Sequence, residues 1–304
     1  VLTRSDVDEA AARIAGWVRP TPVLAAGPDR WLKLEYVQHS GSFKARGAFN
    51  RVLAAQAADD LSAGIVVASG GNAGIAYAYA AAAVSAPATI FVPETAPAVK
   101  VAKLRAFGAN VVQRGTEYAA AHEAALAFAA ETAAVLGHAY DQPEMVTGAG
   151  TIGIELLAQL QEGVDTVVVA CGGGGLMAGV AAALDGVARV VAAEPYGCPT
   201  LHSAIIHNGP IDVTVSGIAA DALGARRVGA IAYEVAVRTG VRPVLVSDED
   251  IIAARRELWS DYRIVVEHGA AAAWAALTSK AYVPEPGERV AVVLCGANTD
   301  PTDL

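Results

Sequence analysis

The eight residues SGSFKARG, 40–47, place one lysine, Lys44, between Phe43 and a run of small residues that carries Arg46. An amine among apolar and small neighbours is either the snorkelling cation of a helix start or a chemical tool. Two glycine-rich turns offer it partners. In CGGGG, 171–175, four consecutive glycines precede the helical pattern LMAGVAAAL. The N–H groups of Gly172, Gly173, Gly174 and Gly175 can therefore converge at a helix N-terminus and hold a phosphate. No Gly-Lys-Ser/Thr follows, and the spaced glycines of the dinucleotide fingerprint are missing. Close strand–helix packing is the plain alternative. In SGGNAG, 69–74, Ser69, Gly70 and Gly71 can present donors to a carboxylate, with the Asn72 amide beside them. An ordinary turn with a helix cap uses the same residues. A phosphate, a substrate carboxylate and one lysine in a semi-apolar setting are what pyridoxal phosphate chemistry on an amino acid requires.

The elements that must position these residues read as alternating strands and helices. Short β-branched runs at 64–69, 88–92, 109–113, 165–172, 188–194 and 288–296 predict buried strands. Alanine-rich stretches at 71–85, 97–107, 117–136, 148–162 and 175–185 predict helices. Continuous apolar strands between helices imply parallel sheets covered on both faces, with ligands outside the carboxyl ends of the strands. The N-terminal run VLTRSDVDEAAARIAGW predicts an acidic amphipathic helix rather than a signal peptide. No long Pro/Ser linker divides the chain, so two sub-domains should pack closely, crossing near residues 50 and 140.

Totals narrow the function. The 304 residues are 54% hydrophobic and 17% charged, the profile of a well-buried enzyme-like chain. A net charge of -9 with no basic stripe excludes nucleic acid as partner. The 3 cysteines, at 171, 198 and 295, form no C-x-x-C pair, which points to a reducing, cytoplasmic compartment. The apolar stretch 76–83 is too short to span a bilayer. None of the 6 histidines has the spacing of a catalytic metal site. Lys100, Lys103, Arg226 and Arg227 read as solvated faces or helix ends, and Glu267 as an N-terminal helix acid, with approach to the cofactor as the alternative.

SGSFKARGAFN resembles the Ser-x-Phe-Lys-x-Arg-Gly-Ala box of the serine/threonine dehydratase and serine racemase family, fold-type II pyridoxal phosphate enzymes. SGGNAGIA is similar to that family's substrate loop and GGGGL to its phosphate loop. AEP (193–195), SGIAADALGARRVG (216–229) and VVLCGANTD (292–300) follow in the family's order. The resemblance spans essentially the whole chain. It implies two open, twisted, mostly parallel sheets flanked by helices, as in tryptophan-synthase-β-like folds. Residues 1–50 with 140–304 would form a large cofactor-binding domain and 51–139 a small one, with the active site in the cleft between them. It further implies that Lys44 is the Schiff-base lysine and that Phe43 packs on the ring face. Asn72 would bond the ring's 3-hydroxyl, and the amides of Gly172–Gly175 would hold the phosphate. Ser69, Gly70, Gly71, Asn72 and Ala73 would take the substrate carboxylate, and Cys295 would stand against the pyridine nitrogen.

The same resemblance implies a lyase that removes water from L-serine or L-threonine, giving a 2-oxo acid and ammonia, and a homodimer. A neutral thiol cannot keep the pyridine protonated as a carboxylate would, which suits β-elimination better than transamination. Serine racemases of this family carry a second, serine base where this chain has Gly70, so racemisation is disfavoured. Serine racemase and 3-hydroxyaspartate dehydratase remain the alternatives. Ala73 and Cys295 match the liver-type serine dehydratase branch. Glu194, Cys198 and Thr200 fall at a cation site of the family; one carboxylate with neutral groups fits K⁺ better than Mg²⁺. A glutamate capping a turn, with no metal, is the alternative there. The chain ends 8 residues after Gly296, so the regulatory domain of biosynthetic threonine dehydratases is not expected.

Overall fold

A computed structural model describes residues 1–304, apart from the side chain of Asp303. Its strands form two sheets. The first contains β1 (Val23–Ala25), β2 (Arg30–Lys33), β7 (Thr166–Ala170), β8 (Arg189–Pro195), β9 (Arg242–Val246) and β10 (Val290–Val293). Their order is β1-β2-β10-β7-β8-β9, with every neighbouring pair parallel except β1 with β2. The second contains β3 (Ile65–Ala68), β4 (Ala88–Val92), β5 (Asn110–Gln113) and β6 (Val135–Leu136), all parallel, in the order β5-β4-β3-β6.

Helices cover both sheets. They are α1 (Arg4–Ile14), α2 (Lys44–Ala57), α3 (Asn72–Ala83), α4 (Ala98–Ala106), α5 (Tyr118–Thr132) and α6 (Pro143–Gln159). The others are α7 (Gly175–Leu184), α8 (Thr200–Ile206), α9 (Ala220–Leu223), α10 (Ala230–Thr239), α11 (Asp248–Tyr262) and α12 (His268–Thr278). The sequence signals for their starts are local: a Thr3/Asp6 capping box for α1, Ser247/Asp250 for α11, and Pro143 at the first turn of α6. None of the helices among the described residues is long and apolar enough to cross a membrane.

All six predicted strands are present, each within a few residues of its predicted bounds. Two helices differ. The one predicted over 117–136 stops at Thr132, because Ala133 turns left-handed (φ 59°) and Val135 and Leu136 pair with β3. The one predicted from 148 begins at Pro143. The first sheet is buried in a core that runs through β7, α7, α12 and β10. On the second sheet α2 and α3 cover one face and α5 the other.

A buried ion network fixes the start of α2. The Arg46 guanidinium donates to both oxygens of Glu35, at 2.6 and 2.9 Å, and to Glu155 Oε1 at 2.6 Å. Glu155 Oε2 in turn accepts from Lys33 Nζ at 2.7 Å, which also donates to Thr21 O and Gln159 Oε1. Arg46, Glu35 and Lys33 are all 0% exposed, so each charge depends on its partners. This is why the SGSFKARG box carries its arginine: Arg46 ties α2 to α6 and to the turn after β2, two residues from Lys44. Arg46→Met should lower unfolding stability by about 3–5 kcal/mol in urea denaturation, because Glu35 is left charged and buried. A loss below about 1 kcal/mol would contradict that role.

Candidate active site

Strand ends from both sheets converge on one cavity of about 500 Å³. β3 delivers the Ser69–Gly71 loop and the first turn of α3; β7 delivers Gly172–Gly175 and α7; β10 delivers Cys295. Lys44, the first residue of α2, opens onto it, and so does Phe43.

Among the described residues, the Lys44 amine has a single close acceptor, the backbone carbonyl of Ala139, at 2.5 Å. It also lies 4.8 Å from the centroid of the Phe43 ring. Burial lowers its pKa to about 8, against the opposing pull of Cys295 and Glu267. The loop that offers the carbonyl is itself fixed. His138 Nδ1 accepts from the N–H groups of Tyr140 and Asp141, and Gln142 Oε1 accepts from His138 N. Burial also lowers the His138 pKa, which keeps Nδ1 an acceptor.

The tetraglycine turn is tightly packed. A Cβ on Gly172 would meet Leu223 O at 2.7 Å, and one on Gly173 would strike the Tyr140 ring at 2.3 Å. Gly174 has φ +86°, and a Cβ on Gly175 would meet Tyr140 O at 2.8 Å. Close packing therefore accounts for all four glycines. It also leaves donors: among the described residues, the N–H groups of Gly172, Gly173 and Gly174 bond no protein acceptor, although they sit in or beside a buried turn. Three adjacent N–H groups at the start of α7 fit a phosphate. Across the cavity, the first turn of α3 offers the N–H groups that no helix can satisfy internally, which fit a carboxylate. Phe43, Asn72 and Cys295, a thiol, also line the cavity and would be the residues to hold a flat ring there. Burial, assisted by the Glu267 charge, pushes that thiol well above its usual range, so it is neutral. Amine, phosphate donors, carboxylate donors and neutral ring partner together fit pyridoxal phosphate.

The structure brings Ser69, Gly70, Gly71, Asn72 and Ala73 together with Lys44, Phe43, Gly172–Gly175 and Cys295 around this one cavity. Glu194, Cys198 and Thr200 lie outside it, behind the tetraglycine turn. Glu194 accepts from the N–H groups of Leu201 and His202, at 2.7 and 2.8 Å, and lies 3.1 Å from Thr200 Oγ1. Burial outweighs these bonds and raises its pKa to about 7. Thr200 Oγ1 is also 2.5 Å from Gly172 O, while the Cys198 thiol points to Ser216 O. Among the described residues, no three His, Cys, Asp or Glu side chains are grouped to hold a metal.

Glu267 is the N-cap residue of α12, as expected of an N-terminal helix acid, but makes no side-chain cap bond; its buried carboxylate also lines the cavity and accepts from Asn72 Nδ2 at 2.8 and 3.1 Å. One expectation is corrected. Lys100, Lys103, Arg226 and Arg227 are not merely solvated faces: all four line the cavity. Lys100 pairs with Asp221 across it, and Arg227 with Asp212 at 2.7 Å. Two further groups, the Ala139 carbonyl and the Tyr140 ring, carry no sequence signal, because their role comes only from the close approach of the 138–141 loop.

The sequence profile of the pyridoxal-phosphate dependent enzyme family matches residues 14–296. Phenylserine dehydratase of Ralstonia pickettii is 36% identical, over 95% of this chain and 91% of that protein. L-threonine ammonia-lyase of Thermotoga maritima is 32% identical, over 99% of this chain and 76% of its own. The structure of maize serine racemase superposes with a TM-score of 0.92 at 29% identity, covering 99% of this chain and 95% of that one.

Proposed function

Because the chain belongs to the pyridoxal-phosphate-dependent enzyme family, among fold-type II members of the threonine dehydratase and serine racemase type, we propose that it is an L-serine/L-threonine ammonia-lyase. Bound pyridoxal phosphate supplies the electron sink that lets the substrate Cα–H ionise and the β-hydroxyl depart. The residues do the rest. The N–H groups of Gly172–Gly174 hold the phosphate oxygens, and the first turn of α3 with Ser69 holds the substrate α-carboxylate. Lys44 Nζ would be the group that removes the Cα proton. An amine whose pKa is lowered to about 8 is substantially neutral near that pH, as a base must be. The neutral Cys295 thiol would partner the ring nitrogen without a charge, which would suit loss of a β-leaving group better than transamination.

Gly70 carries the choice of elimination over racemisation, since it leaves that position without a side chain to act as second base. Its surroundings would admit one: a Cβ there has Val92 Cγ1 as nearest neighbour, at an ordinary 3.5 Å. The grouping of 51–139 as a small domain is supported by the second sheet, whose strands all lie between Ile65 and Leu136. Of the two readings of Glu194, Cys198 and Thr200, a weakly held K⁺ or a capping glutamate, the second is the better supported: Glu194 accepts from the N–H groups of Leu201 and His202 at the start of α8, and the Cys198 thiol turns to Ser216 O.

A second reading, 3-hydroxyaspartate as substrate, is favoured by the basic side chains of the cavity wall. Arg226 is the pertinent one, since no carboxylate among the described residues pairs with it. The similarity to a phenylserine dehydratase adds an aryl substrate to the comparison.

The test is 2-oxo acid release from serine, threonine, 3-hydroxyaspartate and phenylserine, with stereoisomers resolved. We expect turnover of L-serine or L-threonine, reduced roughly 10²- to 10⁴-fold in Lys44→Ala. Deamination that survives Lys44→Ala would remove the proposal, and turnover confined to 3-hydroxyaspartate would replace it with the second reading. Gly70→Ser should raise serine racemisation roughly 10²-fold above background, measured by chiral chromatography. Racemisation that stays at background while 2-oxo acid release continues would show that Gly70 is not what withholds it.

A further inference from the structure

Behind Asn72 runs a chain of hydrogen bonds that starts on an ammonium and ends on a carboxylate. Lys103 Nζ donates to Asn298 Oδ1 at 2.6 Å, and Asn298 Nδ2 donates to Asn72 Oδ1 at 2.6 Å. Asn72 Nδ2 donates to Glu267 Oε1 and Oε2, at 2.8 and 3.1 Å. The ends decide how the middle is oriented. An ammonium can only donate and a carboxylate can only accept, so both amides must point the same way. A second anchor agrees, because Asn298 Nδ2 also donates to Ser40 O at 2.9 Å.

The backbone makes room for this arrangement. A Cβ on Gly41 would meet Asn298 Oδ1 at 2.6 Å, and one on Gly296 would meet Glu267 Oε1 at 2.7 Å. Glu267 is buried, and burial raises its pKa while the Asn72 bond opposes the rise. Such a chain polarises each of its members in the same direction.

We propose that Lys103 is a positioning residue for the cofactor: through Asn298 it holds the Asn72 amide with its carbonyl occupied and its NH2 on the Glu267 side, where one hydrogen shared by the two Glu267 oxygens leaves the other for the ring. Asn72 then meets the cofactor ring's 3-oxygen only as a donor, which favours the anionic form of that oxygen. The inference rests on Asn72 as the residue at the ring edge.

The test compares the wild-type holoenzyme with Lys103→Met and Lys103→Arg. The readouts are the pyridoxal phosphate dissociation constant and the visible absorption maximum of the bound cofactor, with thermal melting as the check on folding. Lys103→Met should melt like wild type, bind pyridoxal phosphate roughly 5-fold more weakly and shift the absorption maximum. Lys103→Arg should restore both, since a guanidinium can make the same donation. An unchanged spectrum and affinity in Lys103→Met would overturn the inference, even if the KM for an acidic substrate rose. A loss that arginine does not restore would assign the effect to packing and overturn it equally. If wild type gains no visible band with pyridoxal phosphate, the cofactor premise falls and the inference with it; a band that ignores Lys103 overturns the inference alone.

Discussion

The site depends on a lysine amine held in a cavity by one neutral acceptor. A Lys44 paired with a carboxylate would be fixed as an ammonium; one in water would be an ordinary surface cation. The Ala139 carbonyl satisfies a hydrogen of the amine without supplying a countercharge, and burial does the rest. The carbonyl must therefore be held in place from behind. His138 and Gln142 clasp its loop, and the Asp141 carboxylate accepts from the N–H groups of Ala230 and Ile231 at the start of α10. The same loop presents the Tyr140 ring to Gly173, so the lysine's acceptor and the phosphate turn are packed as one body.

Charges elsewhere in the molecule serve to hold this arrangement. Arg46, Glu35, Glu155 and Lys33 compensate one another in the interior and fix where α2 begins. Such networks contribute little net stability against an apolar core, and breaking one partner is costly, so their value lies in defining one geometry. The amide chain from Lys103 to Glu267 works by the same logic on the other side of the cavity. Glu267 still acts on the lysine amine through space, but no carboxylate among the described residues forms an ion pair with it.

Much of this was legible in the sequence. Valine-rich runs such as TVVVA can only be strands buried on both faces, and the glycine turns after β3 and β7 announced where ligands meet strand ends. Lys44 stood out because its neighbours are small and apolar. The short strands β1, β2, β6 and β9 were not read, since 2 to 5 residues with mixed burial carry no period. Lys103 and Arg226 escape for another reason. Each looks like an ordinary helix-end or surface charge, and only the meeting of α4, the 220–228 segment and the β10 end turns them toward one cavity. The tetraglycine admits both a donor cradle and close packing from its sequence, and the structure uses it for packing at each glycine while leaving three N–H groups as donors.

The most direct measurement of the central claim is the pH dependence of Lys44 modification in the cofactor-free protein. An amine-reactive reagent, with labelling of the Lys44 peptide quantified by mass spectrometry, reports the neutral fraction. Burial that outweighs the pull of the nearby Glu267 charge gives a midpoint of about 8. A midpoint at the ordinary lysine value, about 10.4, would show an amine in a water-like or charge-paired setting and would contradict the account.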